Sequence, residues 1–131
     1  SGSAMQRIVR RRIEEGETSF LTSHTGDIYS LESIIEAIND EDPLCIDVVE
    51  HVGQRLGESV ANLINIFNPE LVVIGGMLSR AGDFLLQAVG ASVRKYSLSI
   101  VNRDTRLCLS KLNERGGIIG TCMLARKSIL D

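Results

Sequence analysis

The glycine pair Gly75–Gly76 is the feature of this sequence best suited to binding a ligand, because it directly follows a short apolar run. That run, Leu71–Ile74, is rich in β-branched residues and is typical of a strand buried on both faces. Open α/β folds bind ligands at the carboxyl ends of their strands, where glycine lets a flat ligand touch the backbone. The pair therefore predicts either a ligand-binding loop or, as the simpler alternative, a tight turn.

Several familiar phosphate-binding and catalytic motifs are absent from the sequence. It has no GxxxxGK[ST] loop, and Gly75–Gly76 lacks the glycine three residues on that a GxGxxG dinucleotide motif requires. It also has no GxSxG nucleophile elbow and no HExxH pair. A second glycine pair, Gly116–Gly117, is placed to hold an anion at a helix N-terminus, but a helix-opening turn is the simpler interpretation.

The basic residues and the histidines lack the partners that a catalytic or metal site needs. Arg7 and Arg10 to Arg12 form a cluster that indicates a solvated helix face more readily than a phosphate-binding patch. Neither His24 nor His51 has a second ligand at a spacing that would hold a metal ion. We therefore predict no catalytic residue and no metal ligand in this chain.

The cysteines and the hydropathy pattern indicate a cytoplasmic protein. Cys45, Cys108 and Cys122 are odd in number and widely separated, which fits neither a disulfide framework nor a CxxC site. We predict three buried thiols in a reducing compartment. No apolar run approaches the ~18 residues of a membrane span, and no signal peptide is evident, so we expect no membrane association.

The composition argues against nucleic-acid binding by this chain. It has 14 basic and 17 acidic side chains, no Trp and only two Tyr, with a net charge of -3. It therefore lacks the basic field and the aromatic platforms on which such binding depends. With 131 residues, 44% of them hydrophobic, the sequence predicts a single domain with a sizeable core.

Apolar periodicity predicts the elements that position the glycine pair. Helical spacing occurs in residues 5–15, Leu31–Asn39, Pro43–Phe67, Asp83–Tyr96 and 118–130. Leu71–Ile74 and Arg106–Leu112 are the predicted strands, and the helix between them favours a parallel pair with a right-handed crossover. Because two strands alone leave unpaired edges, we expect strands from outside this chain to complete the sheet.

The long helix Pro43–Phe67 carries two features that predict its surroundings. Asp42 precedes Pro43, so its carboxylate is expected to accept a first-turn N–H. Gly53, Gly57 and Ala61 are spaced four apart, which predicts close approach by a neighbouring backbone. That neighbour is either a second subunit or the helix Leu31–Asn39.

The run at residues 65–79, NIFNPELVVIGGMLS, is similar to the NPELVVIGG segment of the ROK family. That family groups sugar-responsive transcriptional repressors with bacterial sugar kinases. Further similarities extend over essentially the whole chain: Glu41-Asp42-Pro43, Gly57 with Ala61-Asn62-Leu63, Ala81-Gly82-Asp83 and Gly117-Ile118-Ile119-Gly120. The opening residues 1–4, SGSA, also resemble the stretch that follows the zinc-binding cysteine motif of the family.

The resemblance implies an α/β fold that is a partial actin-like ATPase (ribonuclease H-like) domain. Residues 1–131 would be the carboxyl-terminal part of a ROK domain, with a βαβα unit and a long preceding helix. The glycine pair of the family's adenosine-binding motif carries over onto Gly75 and Gly76, with Met77 and Ser79 in the same loop. The cofactor implied for the parent protein is ATP or ADP. Where the family often has a third glycine, this chain has Met77.

The other functional residues of the family lie in segments that this chain lacks. These are the catalytic Asp, the phosphate-binding turns, the sugar-contacting Glu and His, and the zinc ligands. No sugar can therefore be named, and we expect no catalysis by this chain alone. ROK proteins form dimers through their carboxyl-terminal parts, which implies a homodimer, with DNA bound only by a separate domain.

Three hypotheses about function follow from the resemblance and the helix pattern. The first is the carboxyl-terminal effector and dimerisation portion of a ROK transcriptional repressor. The second is the nucleotide-binding portion of a ROK sugar kinase of the glucokinase type. The third is a helical dimerisation module without a ligand. Met77 favours the first over the second, because a side chain would stand where a nucleotide needs bare backbone.

Overall fold

Four α-helices and three strands make up the part of the chain that the computed structural model describes, residues 2–98, 105–112 and 118–124. The helices are α1 Gly2–Glu14, α2 Leu31–Asn39, α3 Pro43–Phe67 and α4 Asp83–Tyr96. The strands are β1 Leu71–Ile74, β2 Arg106–Leu112 and β3 Ile118–Leu124, and two 3₁₀ turns cover Phe20–Ser23 and Met77–Ala81. The predicted bounds of α2, α3, α4, β1 and β2 are confirmed. No helix in these ranges has both the length and the apolar character to cross a membrane.

Local sequence signals explain where the helices begin and end. Ser30 caps α2 by accepting a hydrogen bond from the Ser33 N–H. Pro43 opens α3, and Asn68, before Pro69, ends it in the left-handed conformation at φ 46°. The first helix begins at Gly2, three residues before the predicted start, and buries Met5 and Val9.

Asp42 is the N-cap residue of α3, but its side chain makes no capping hydrogen bond, so the prediction of a carboxylate bond to the first turn is wrong. The Asp42 carboxylate instead accepts hydrogen bonds from the Ser19 hydroxyl at 2.6 Å and from the Phe20 N–H at 3.2 Å. It is fully buried, and these bonds tie the Phe20–Ser23 turn to the start of α3. Burial, together with a hydrogen bond to Asp42, raises the pKa of the neighbouring Cys45 thiol far above its ordinary value.

The small-residue face of α3 packs against α4 within the same chain. A Cβ added at Gly53 would lie 2.8 Å from Ala88 Cβ, and one added at Gly57 would lie 2.4 Å from Ser92 Cβ and 2.7 Å from the Val89 carbonyl oxygen. The predicted close approach of a backbone is confirmed. The predicted neighbour of this face is α2 or a second subunit. Both alternatives are wrong, because α4 covers it.

The three strands form one sheet in the order β1-β2-β3. β1 and β2 are parallel, as predicted, with Leu71 opposite Arg106 and Ile74 opposite Leu109. The predicted final helix over residues 118–130 is wrong over its described part, because Ile118–Leu124 is a strand antiparallel to β2. Pairing with β2 satisfies the backbone N–H and C=O groups on the β2 side of this strand without a helix. The predicted βαβα unit is therefore βαββ. The predicted turn at Gly116–Gly117 and the predicted helix over residues 125–130 lie outside the described residues.

β1 is not buried on both faces, which corrects a second prediction. Ile74 is 8% exposed, but Leu71 and Val73, on the opposite face, are each 50% exposed. At the end of α3, Ile66 and Phe67 are also exposed, at 71% and 70%. Within the described residues β1 pairs only with β2, so one edge and one face of the strand are uncovered.

The cysteines differ in their chemical state. Cys45 is a buried free thiol, as predicted, whereas Cys108 is disulfide-bonded, so the prediction of a thiol there is wrong. Sequence spacing did not reveal this bond because pairing depends on strand register. The backbone of Cys122 lies directly opposite that of Cys108 in the antiparallel pair of β2 and β3.

We expect Gly57→Ala to destabilise the chain, although alanine is the better helix former. The new Cβ would overlap Ser92 Cβ and the Val89 carbonyl, so the free energy of unfolding should fall by about 2 kcal/mol in urea titrations. Adding Ser92→Gly should recover part of the loss, because it removes one of the two clashing atoms.

The matched control for that substitution is Gln54→Ala, at an exposed position of the same helix. It should change the free energy of unfolding by less than about 0.5 kcal/mol. A Gly57→Ala protein as stable as the wild type would contradict the α3–α4 packing described above.

Candidate functional site

The loop that follows β1 is shaped by two glycines in conformations that other residues avoid. Gly76 has φ 77° and ψ −171°, and Gly82 has φ 70° and ψ −141°. Between them the 3₁₀ turn Met77–Ala81 reverses the chain into α4. A side chain at Gly76 or Gly82 would strain the backbone, which explains the requirement for glycine at both ends of the turn.

The two residues of the glycine pair have different surroundings. Both are exposed at the carboxyl end of β1. A Cβ added at Gly76 would meet no atom within 4 Å, whereas one added at Gly75 would approach Ser110 Oγ at 3.1 Å. The space beside the Gly76 backbone is therefore open, and a flat ligand can reach that backbone from solvent.

Ser79 fixes the loop to the neighbouring strand. Its side chain is almost fully buried, and its Oγ lies 2.6 Å from the Gly76 carbonyl oxygen and 2.6 Å from the Ser110 carbonyl oxygen. The hydroxyl has one proton, so it donates to one of these two acceptors at a time. The Ser79 N–H also donates to the Gly76 carbonyl, at 3.2 Å. Ser79 therefore holds the backbone of the loop and does not project its hydroxyl into solvent.

Met77 is the member of the predicted site set whose side chain is accessible, at 38% exposure. Its neighbours Leu78 and Ala81 are buried in the core. The structure thus brings Gly75, Gly76, Met77 and Ser79 into one loop but gives them different roles. The two glycines present backbone, Met77 presents a flexible apolar side chain, and Ser79 supports the loop from within.

The basic cluster of α1 is partly neutralised by carboxylates. Arg12 donates to Glu17 at 2.6 Å and to Asp47 at 2.7 Å, and these hydrogen bonds raise the pKa of Arg12 and lower that of Glu17. Arg10 pairs with Glu14 at 3.1 Å. The prediction of a solvated helix face is confirmed for Arg10, whose side chain is 63% exposed, whereas Arg12 is 23% exposed and held by its two ion pairs.

Arg7 and Arg11, together with Arg12, line a groove between α1 and α3 with a volume of about 760 Å³. Sequence analysis missed this groove because it exists only once the two helices are packed together. His51 lies in the same groove, with its Nδ1 2.9 Å from the Asp47 carbonyl oxygen. Across the described ranges, no group of three or more His, Cys, Asp or Glu side chains is arranged to hold a metal ion.

Comparison with protein families and curated sequences gives consistent matches. The model of the ROK family matches residues 1–128. A glucokinase of Halalkalibacterium halodurans is 32% identical over 76% of the chain and 30% of its own length. The DNA-binding transcriptional dual regulator NagC of Escherichia coli is 31% identical over 78% of the chain and 25% of its own length. A xylose repressor of Caldicellulosiruptor bescii is 26% identical over the full chain, which covers 33% of that protein.

Solved structures with a similar fold include regulators and kinases. A ROK family transcriptional regulator, a homolog of the E. coli MLC protein, has a TM-score of 0.80 and 35% identity, covering 88% of this chain and 29% of its own. A ROK family glucokinase from Streptomyces griseus in complex with glucose and AMPPNP has a TM-score of 0.64 and 25% identity, covering 73% and 32%. The chain therefore spans about a quarter to a third of the length of these relatives.

Proposed function

The chain belongs to the ROK family, and we propose that it is the carboxyl-terminal effector and dimerisation portion of a sugar-responsive ROK transcriptional repressor. Its fold is a part of the actin-like α/β fold of that family. Residues 1–131 form, in this proposal, one part of a single ROK domain. The DNA-binding, sugar-binding and zinc-binding segments belong to the remainder of the whole protein.

The partly exposed side chain of Met77 is the main observation that favours a repressor over a kinase. This side chain follows directly after the open backbone of Gly76. A kinase must hold its nucleotide firmly enough to position the transferred phosphoryl group, and a mobile thioether beside the adenosine opposes this. The similarity to the ROK family transcriptional regulator, at 35% identity and a TM-score of 0.80, supports the same choice.

The second candidate is the nucleotide-binding portion of a ROK sugar kinase. It is favoured by the 32% identity to a glucokinase and by the similarity to the Streptomyces griseus glucokinase structure. The two candidates share the same ligand loop, Gly75, Gly76, Met77 and Ser79, and differ in how tightly that loop binds. The third hypothesis, a helical dimerisation module without a ligand, loses its main support because α4 covers Gly53 and Gly57.

The backbone of the loop is suited to contact an adenine nucleotide, whereas the side chain of Met77 is not. Gly75 and Gly76 would contact the adenosine through exposed backbone, and Ser79 would keep that backbone in place from below. The bound nucleotide would supply the phosphoryl group in a kinase. The proposal assigns no catalytic residue to this chain, because the resemblance to the family places the catalytic Asp and the phosphate-binding turns in other segments.

Dimerisation is part of the proposal, and the structure limits the surface that it uses. The small-residue face of α3 is buried against α4 within the chain. A two-fold contact must therefore use a different surface. Replacement of Gly57 is not a test of dimerisation, because its expected effect is on folding.

We expect Met77→Gly to strengthen the binding of ADP by about tenfold, or about 1.4 kcal/mol, in calorimetric titrations of the 131-residue chain. The physical reason is that glycine removes the side chain that stands beside the open backbone of Gly76. Met77→Leu keeps a side chain of similar volume and serves as the control, with affinity close to that of the wild type. Equal ADP affinity in all three proteins would show that the loop does not contact the nucleotide.

The whole protein should behave as a repressor in a paired assay. With glucose or N-acetylglucosamine and ATP, a coupled phosphorylation assay should remain at background. In a mobility-shift assay the protein should retain DNA from upstream of its own operon, and addition of its inducing sugar should release that DNA. Sugar phosphorylation that scales with protein concentration would overturn the repressor assignment in favour of the kinase.

A further inference from the structure

The groove between α1 and α3 is a surface that the proposed function does not use. Arg12, near the end of α1, bonds to Asp47, near the start of α3, and closes one end of the groove. The groove is lined from Ala4 to Glu17 on one side and from Asp47 to Ser59 on the other. At 1.5 Å per residue the lining segment of α3 is about 18 Å long, the length of about three helical turns.

The floor of the groove is apolar. Val48 is fully buried and Val52 is 6% exposed, so these two residues lie beneath the groove and add little accessible surface. Ile8 from α1 and Leu56 from α3 are partly buried against the core and extend the apolar strip. From Val48 to Leu56 the apolar lining of α3 spans about 12 Å, a little over two helical turns. An apolar strip of this length suits the apolar stripe of a short third helix.

The rim of the groove is positively charged. Arg7 and Arg11 are four residues apart on α1, where like charges repel, and Arg55 lies across the groove on α3. Among the residues that the structure describes, none of these three arginines has an ion-pair partner. The carboxylates of Glu17 and Asp47, by contrast, are already bonded to Arg12. Glu15 also lines the groove and has no ion pair among the described residues, so three unpaired arginines there face one unpaired carboxylate. The rim therefore keeps a net positive charge beside the apolar floor.

We propose that this groove binds an acidic amphipathic helix of a partner protein. The apolar stripe of the partner would cover Ile8, Val52 and Leu56, and its carboxylates would pair with Arg7, Arg11 and Arg55. Helices that lie in apolar grooves are recognised in this way, with flanking charges setting specificity. A second copy of the chain is less well matched, because its own α1 would bring arginines against arginines.

The test uses fluorescence anisotropy with the 131-residue chain and two labelled, capped peptides of about 14 residues. Both carry leucine at helical a and d positions, with glutamate at all other positions in one peptide and lysine in the other. The glutamate peptide should bind, and the lysine peptide should bind at least about tenfold more weakly. Equal binding of the two peptides, or no binding of the glutamate peptide, would overturn the proposal.

Substitutions then locate the binding surface. Arg11→Glu and Arg55→Glu should each weaken binding of the glutamate peptide by about tenfold. Arg10→Glu is the matched control, because it makes the same charge change on the same helix at a residue that does not line the groove and is paired with Glu14. It should leave the affinity within about twofold of the wild type, and urea titrations should show that all variants remain folded. An equal loss in Arg10→Glu would reduce the effect to net charge and contradict the proposal.

Two further measurements exclude other occupants of the groove. Binding by the 131-residue chain but not by the whole protein would mean that another segment of the same protein fills the groove. A dimer in sedimentation equilibrium that Arg11→Glu and Arg55→Glu both dissociate would identify the groove as a contact between two copies. Either result would overturn the assignment to a partner helix.

Discussion

The close contact between α3 and α4 is the constraint on which the rest of the described structure depends. Gly53 and Gly57 let α4 approach so closely that an added Cβ would overlap Ala88 at Gly53, and Ser92 and the Val89 carbonyl at Gly57. Because α4 starts at Asp83, directly after the turn, its position determines where the turn must end. Glycine costs a helix about 1 kcal/mol relative to alanine, and here that cost is offset by close packing.

The candidate site is built from backbone, which is why so few side chains identify it. The left-handed conformation of Gly76 and the buried hydroxyl of Ser79 shape a loop that leaves main-chain atoms facing solvent. Such a loop is compatible with a sensor that responds to a ligand and with an enzyme that consumes it. In the function proposed here, the side chain of Met77 is what favours the sensor over the enzyme.

Elements marked by local signals were predicted from the sequence, whereas features that arise from tertiary contacts were not. Ser30, Pro43 and Pro69 set helix ends through local geometry, and the structure places those ends as expected. The third strand was predicted as a helix. Its conformation depends on pairing with β2, and the register of that pairing is a tertiary feature that the apolar pattern does not reveal. The role of Asp42 and the groove between α1 and α3 likewise depend on contacts between residues distant in sequence.

We infer that contacts within the chain, rather than a bound ligand, hold the loop after β1 in its observed conformation. Hydrogen exchange of the Ser79 and Gly82 amides tests this most directly, because these N–H groups donate to the Gly76 and Ser79 carbonyls within the turn. In the ligand-free chain both amides should exchange at least about tenfold more slowly than the amides of an unstructured peptide. Exchange at the unstructured rate, slowed only when ADP is added, would contradict it.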